Sequence, residues 1–146
     1  MTNILSQKPK VLCYEGEGIE KILDDMINHE SGIIRVVTNY ALGLKHYEKE
    51  LRQFRNKRSH HQHVHRILSP SNAEVHKFLL ETTSRLSHDE YRELKENIFH
   101  IENDIVILER KICTVNLLGA QKFGFIIESD SLAHSLSCIF DTLWGV

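Results

Sequence analysis

The sequence predicts an α/β chain, a mixed β-sheet flanked by helices on both faces. Three observations carry that expectation. The first part of the chain alternates short β-branched apolar runs with segments of helical period. From Asp104 to Ile127 three apolar runs follow one another with short breaks, a pattern that favours antiparallel hairpins. The closing stretch then sets Leu132, Leu136, Ile139, Phe140, Leu143 and Trp144 on one helical stripe. Crossovers early and hairpins late imply parallel pairing first and antiparallel pairing afterwards.

Taken in order, residues 1–8 form a loose lead-in. Lys10-Val11-Leu12-Cys13-Tyr14 reads as a first strand, ended by Glu15-Gly16-Glu17-Gly18. Ile19, Ile22, Leu23, Met26 and Ile27 recur at the spacing of one buried helix face. Ile33 to Thr38 is a strand rich in β-branched residues. Leu44, Tyr47, Leu51 and Phe54 mark a second helix, with Glu48 four residues before Arg52. Val64 to Leu68 is a third strand. A third helix follows with Val75, Phe78 and Leu79 inward, and Ser71 and Glu74 stand in capping-box spacing. Ser87 and Glu90 repeat that spacing, which suggests a helical turn over 89–96. Asn97 to Ile101 reads as another strand. Ile105-Val106-Ile107-Leu108 has the continuous apolar character of a strand buried on both faces. Glu109 to Lys111 turns the chain, Ile112 to Leu117 resumes it, and Gly119 to Lys122 turns it again. Phe123 to Ile127 is the last strand, and Ser129, Asp130 and Ser131 offer N-caps for the closing helix.

The chain has 146 residues, 41% of them hydrophobic and 26% charged, which suits one ordinary globular domain over residues 9–146. A formal net charge of −2 argues against a general nucleic-acid or membrane-surface binder. No apolar run approaches a membrane span, and Met1 to Leu5 lacks a signal-peptide pattern. Cys13, Cys113 and Cys138 are odd in number and widely spaced. They are expected to be buried free thiols in a reducing cytosol, so the location expected is cytoplasmic.

His60, His61, His63 and His65 are the one cluster that suggests metal, since His63 and His65 would share a strand face. Nothing fixes a third ligand, and a solvated turn is the preferred reading. The basic residues from Lys45 to Arg66 are interrupted by Glu48 and Glu50 and read as a solvated helix face. There is no glycine-rich phosphate loop and no Gly-x-Ser-x-Gly elbow.

Two ends of the chain carry a family resemblance. Lys8-Pro9-Lys10-Val11 leads to Tyr14-Glu15-Gly16 and Gly18-Ile19. Phe125-Ile126-Ile127-Glu128-Ser129 leads to Ile139-Phe140-Asp141-Thr142-Leu143-Trp144. Together these resemble the effector domain of TrmB-like transcriptional regulators, which is itself similar to one half of the phospholipase D fold. That family carries a winged helix-turn-helix ahead of the tyrosine-glutamate-glycine stretch. Here only about a dozen residues precede it, too few for such a module, so the chain is either the effector domain alone or one part of something longer.

Active members of the phospholipase D superfamily carry His-x-Lys-x-x-x-x-Asp, with histidine as nucleophile and lysine on the phosphate. The matching frame runs from Glu109 to Asn116, with Lys111 retained, asparagine at the aspartate position and Glu109 at the histidine position. A carboxylate there repels a phosphodiester, so the chain is expected not to be an enzyme but a pseudoenzyme with no catalytic residue. The function implied is a sensor or regulatory domain that works by ligand binding and dimerisation. Its expected partners are a second copy, a small polar metabolite and a DNA-binding protein, with no direct nucleic-acid or membrane contact, no cofactor and no metal. The alternatives are a diverged phosphodiesterase and a plain interaction module.

Ligands of open sheets with crossover helices sit beyond the carboxyl ends of parallel strands. For the second strand that end is Thr38-Asn39-Tyr40. If the Glu109–Asn116 frame matches, Lys111 and Asn116 join it on the same rim. These five residues are the candidate ligand site, and one cation among neutral groups suits a sugar or a singly charged acid.

Overall fold

The computed structural model describes residues 8–28, 32–58, 64–82, 89–95, 100–119 and 122–145. In chain order the strands are β1 Lys10–Glu15, β2 Ile33–Val37, β3 Val64–Ser69, β4 Glu90–Glu93, β5 Asn103–Ile107, β6 Lys111–Asn116 and β7 Phe123–Glu128. The helices are α1 Ile19–Ile27, α2 Tyr40–Arg58, α3 Ala73–Thr82 and α4 Asp130–Trp144. The strands form one seven-stranded sheet in the order β1-β7-β6-β5-β2-β3-β4. β2–β3 and β3–β4 pair in parallel, as the crossover helices require. The β5-β6-β7 meander and the β1–β7 and β2–β5 pairs are antiparallel. The fold is therefore the mixed, helix-flanked sheet that the sequence predicts.

The period-2 alternation of the strands sends alternate residues to two cores. On one face Val36, Ile67, Val106, Val115 and Ile126 meet Ile22 of α1, Leu44 of α2 and Phe78 of α3. Gly124 lets α1 sit directly on β7: a Cβ there would lie 2.5 Å from Ile22 Cδ1 and 2.7 Å from the Thr114 carbonyl oxygen. On the other face α4 covers Val37, Leu68 and Ile107 with Phe140 and Trp144, whose rings stack at 5.7 Å. Arg35 of β2 ties α4 down, with Nε and Nη2 donating to the Asp141 carboxylate at 2.8 and 3.0 Å. Ser129 caps α4 by accepting from the Leu132 amide, and Gly145 ends it at φ 85°.

Several local expectations are corrected. Residues 90–93 form strand β4, with Tyr91 opposite Ile67, and not a helical turn. Asn72 caps α3, its Oδ1 accepting from the Val75 amide at 2.8 Å, where the sequence pattern favoured Ser71. The closing stripe divides: Phe140 and Trp144 are buried, while Leu132, Ile139 and Leu143 are exposed. Cys113 is buried, and burial pushes its thiol up to about 12, but Cys13 and Cys138 are exposed. His60, His61 and His63 lie outside the described residues, as do Asn97 to Phe99. His65 is buried against Phe54, with ring centroids 6.3 Å apart. No described helix is long and apolar enough to cross a membrane.

Candidate ligand site at the carboxyl rim of the sheet

β2 ends at Val37, which pairs with Ile105 of β5, so the residues that follow β2 meet those that begin β5. Asn103 in turn pairs with Asn116, which brings the end of β6 to the same rim. Four of the five predicted residues, Thr38, Asn39, Tyr40 and Asn116, therefore lie along one edge. Lys111 does not. It begins β6, five residues from Asn116, or about 16 Å along an extended strand. It belongs to the opposite edge, where its ammonium lies 3.4 Å from Asp25 of α1. The frame from Glu109 to Asn116 thus spans a turn and a whole strand, and its two ends face different ends of the sheet.

Most of the predicted trio is structural. Asn39 is buried and caps α2: its Oδ1 accepts from the Leu42 amide at 3.2 Å, and its Nδ2 donates to the Ile101 carbonyl at 3.3 Å. Tyr40 is buried with its ring tilted against Phe78, and its amide donates to Ser69 Oγ at 3.1 Å. Asn39→Ala is accordingly expected to destabilise the fold by about 1–2 kcal/mol, read as a lower urea midpoint at constant slope. Asn116 donates to Asn103 Oδ1 at 3.2 Å and accepts from the Leu118 amide at 3.1 Å.

Thr38 leads to the chemistry. Its hydroxyl donates to Oδ1 of Asp104, a carboxylate that the sequence reading counted only as the start of a strand. Asp104 has the parity of Val106, which sends its side chain to the helix-covered face. That parity is the signal that could have found it: a lone carboxylate in step with the inward residues of an apolar run. Burial pushes the carboxyl up to about 6, with the Thr38 hydrogen bond opposing. Tyr47 of α2, predicted as core, is buried as expected. Its backbone leaves helical geometry at φ −136°, ψ 28°. Its hydroxyl is buried and has no hydrogen-bond partner. Burial raises that phenol, and the negative charges of Glu50 and Asp104 raise it further. Lys122 lies 5.4 Å from the centre of the Tyr47 ring, but its ammonium is bound to Glu50 at 2.6 Å.

Two grooves among the described residues lie elsewhere. One, of about 460 Å³, runs beside α4 past Arg35, Glu109 and Cys138; the other, of about 380 Å³, lies between α1 and α2. In the first Arg35 is paired with Asp141, and in the second Glu50 is paired with Lys122. Near the rim the Tyr47 hydroxyl is buried without a hydrogen-bond partner among the described residues.

No family model and no curated protein matches the sequence. Solved structures do match the fold. The chain is similar to Nuc, a phospholipase D family member from Salmonella typhimurium, with a TM-score of 0.63 and 13% identity over 94% of this chain and 95% of that one. NucT from Helicobacter pylori gives a TM-score of 0.64 and 6% identity over 94% and 97%. TrmBL2, an archaeal chromatin protein, gives 0.57 and 12% over 93% of this chain, which spans about half (52%) of TrmBL2. The fold is therefore phospholipase D-like. These likenesses overturn the expectation that the chain is not an enzyme, which rested on the histidine missing from the Glu109–Asn116 frame. A phospholipase D family member shares the fold over nearly the whole of both chains, so that one frame does not settle catalysis.

Proposed function

We propose that residues 9–146 act as one ligand-responsive regulatory domain of the TrmB-like kind, paired as a homodimer and acting through a DNA-binding partner protein. One observation carries this reading: two likenesses coincide over the same span. The sequence resembles TrmB-like effector domains at both ends, and the fold resembles TrmBL2 over 93% of the chain. The polar rim beyond β2 is where we propose that such a ligand binds. A thermal-shift screen against small metabolites tests the reading, since a ligand that binds only the folded state raises the melting temperature. Failure of every sugar, acid and amine tried to move it counts against a sensor.

A phosphodiesterase is the second reading, favoured by the likeness to Nuc and NucT over 95% and 97% of those chains. Metal-independent turnover of a generic phosphodiester, lost in Lys111→Ala, supports it. Absence of turnover in the unmodified protein removes it.

The dimer reading rests on α4. Leu132, Ile139 and Leu143 stand exposed at i, i+7 and i+11, one side of the helix left uncovered while Phe140 and Trp144 face the sheet. Sedimentation is expected to give a dimer of the 17.0 kDa chain, and Ile139→Glu with Leu143→Glu is expected to give the monomer. A single monomeric species for the unmodified protein at high micromolar concentration removes the dimer.

A further inference from the structure

The fold sets its three thiols in three environments. Cys113 is buried in the larger core, and burial pushes its thiol up to about 12, so it stays an inert thiol at neutral pH. Cys13 is exposed on the edge strand β1 and has no hydrogen-bonded histidine among the described residues. Cys138 is exposed too, but its Sγ lies 3.8 Å from Nε2 of His134, one turn earlier on α4. Both side chains line the groove of about 460 Å³ beside α4. Cys138 therefore combines two things a reactive thiol needs: a base within reach of its proton, and a space in which a reagent can sit. The pair lies on the other flank of α4 from Leu132, Ile139 and Leu143, so pairing through those residues leaves the groove open.

We propose that Cys138 is a site of reversible thiol modification, exchanging with a small alkyl disulfide that enters this groove, with His134 as the base. The inference goes beyond the regulatory and phosphodiesterase readings and depends on neither. His134 Nε2 takes the thiol proton, in the tautomer that carries its own proton on Nδ1. The Cys138 sulfur then attacks one sulfur of the disulfide. A new S–S bond forms, the old one breaks, and the departing thiolate takes the proton from His134 and leaves as a thiol. Cys138 is thereby oxidised to a mixed disulfide while the other half of the reagent is reduced, so the exchange needs no further oxidant. Ile33 and Leu108 give the groove an apolar wall for the alkyl group. The other charged groups that face it are Arg35, Glu109 and Asp141, with Arg35 and Asp141 paired at 2.8 Å.

Timed incubation of the folded protein with bis(hydroxyethyl) disulfide, a neutral reagent, followed by acid quenching and peptide mass mapping, tests this. Cys13 serves as the internal comparison. At about pH 7 the adduct is expected on Cys138 first, about three- to tenfold faster than on Cys13, and not on Cys113. His134→Gln is expected to bring the Cys138 rate down to that of Cys13 at about pH 7. The same variant should match the parent at about pH 10, where the thiol ionises without help. Cys138→Ser should leave only the slow reaction at Cys13, and dithiothreitol should release the adduct from the parent. His134 and Cys138 are both exposed, and melting curves of the variants report folding separately. Equal rates at Cys138 and Cys13 at about pH 7 would overturn the inference. A Cys138 rate that ignores His134→Gln at that pH would overturn it as well.

Discussion

Asp104→Asn is expected to stabilise the folded chain, by up to about 3 kcal/mol at about pH 8, and the gain is expected to vanish towards pH 4. The sign follows from the direction of the shift. Burial raises the carboxyl to about 6 in the folded state, from an ordinary value of 3.8. Between those two values the folded chain binds a proton that the unfolded chain has lost. Stability therefore falls as pH rises through that window, and above it the folded state bears the cost of a partly desolvated charge. Asparagine removes the charge and leaves an acceptor for Thr38. The contribution of Asp104 to stability relative to pH 8 should grow as pH falls from about 6 and be complete only below about pH 4, and the variant should show a flatter profile. Urea midpoints at three pH values measure both. A variant less stable than the parent at pH 8 would mean that Asp104 is a satisfied structural group.

Phe140→Ala is expected to cost about 3–5 kcal/mol, because the deleted ring leaves a cavity in the smaller of the two cores. Phe140 is 1% exposed, stacked on Trp144 and packed in one cluster with Val37, Leu68 and Ile107. α4 is the one described helix on that face, so little else can close over the gap. Ser135→Ala, on the exposed side of the same helix, is expected to stay within about 0.5 kcal/mol. Denaturant midpoints at unchanged slope separate the two. Similar small effects for both would mean that α4 is only loosely seated.

Tertiary contacts explain where sequence pattern succeeded and where it failed. Every strand with β-branched apolar alternation, and every helix with a stripe at 3.6-residue period, was legible, because those periods are local consequences of which face is buried. β4 was not legible: Glu90-Tyr91-Arg92-Glu93 has one inward residue and three polar ones, as suits a charged edge strand. It is a strand because β3 offers hydrogen-bonding partners from Arg66 to Ser69. The capping-box spacing of Ser87 and Glu90 could not reveal that.

The candidate site divides in the same way. The sequence by itself determined that a rim exists beyond Thr38, since crossover connections put a strand's carboxyl end and a helix start together. It also put Tyr47 on the apolar stripe of the second helix, while Asp104 counted only as the start of a strand. Only the tertiary structure decided how these groups are partnered. Thr38 and Asp104 are 66 residues apart, so no local pattern announces their hydrogen bond. The register of the β5–β6 hairpin placed Asn116 on the rim and Lys111 against Asp25, and thereby changed the charge of the site from positive to negative. Burial and pairing depend on what the fold brings from elsewhere in the chain. The same carboxylate that would be an ordinary solvated group at a free strand end becomes a half-buried one beside Thr38, its carboxyl pushed up to about 6.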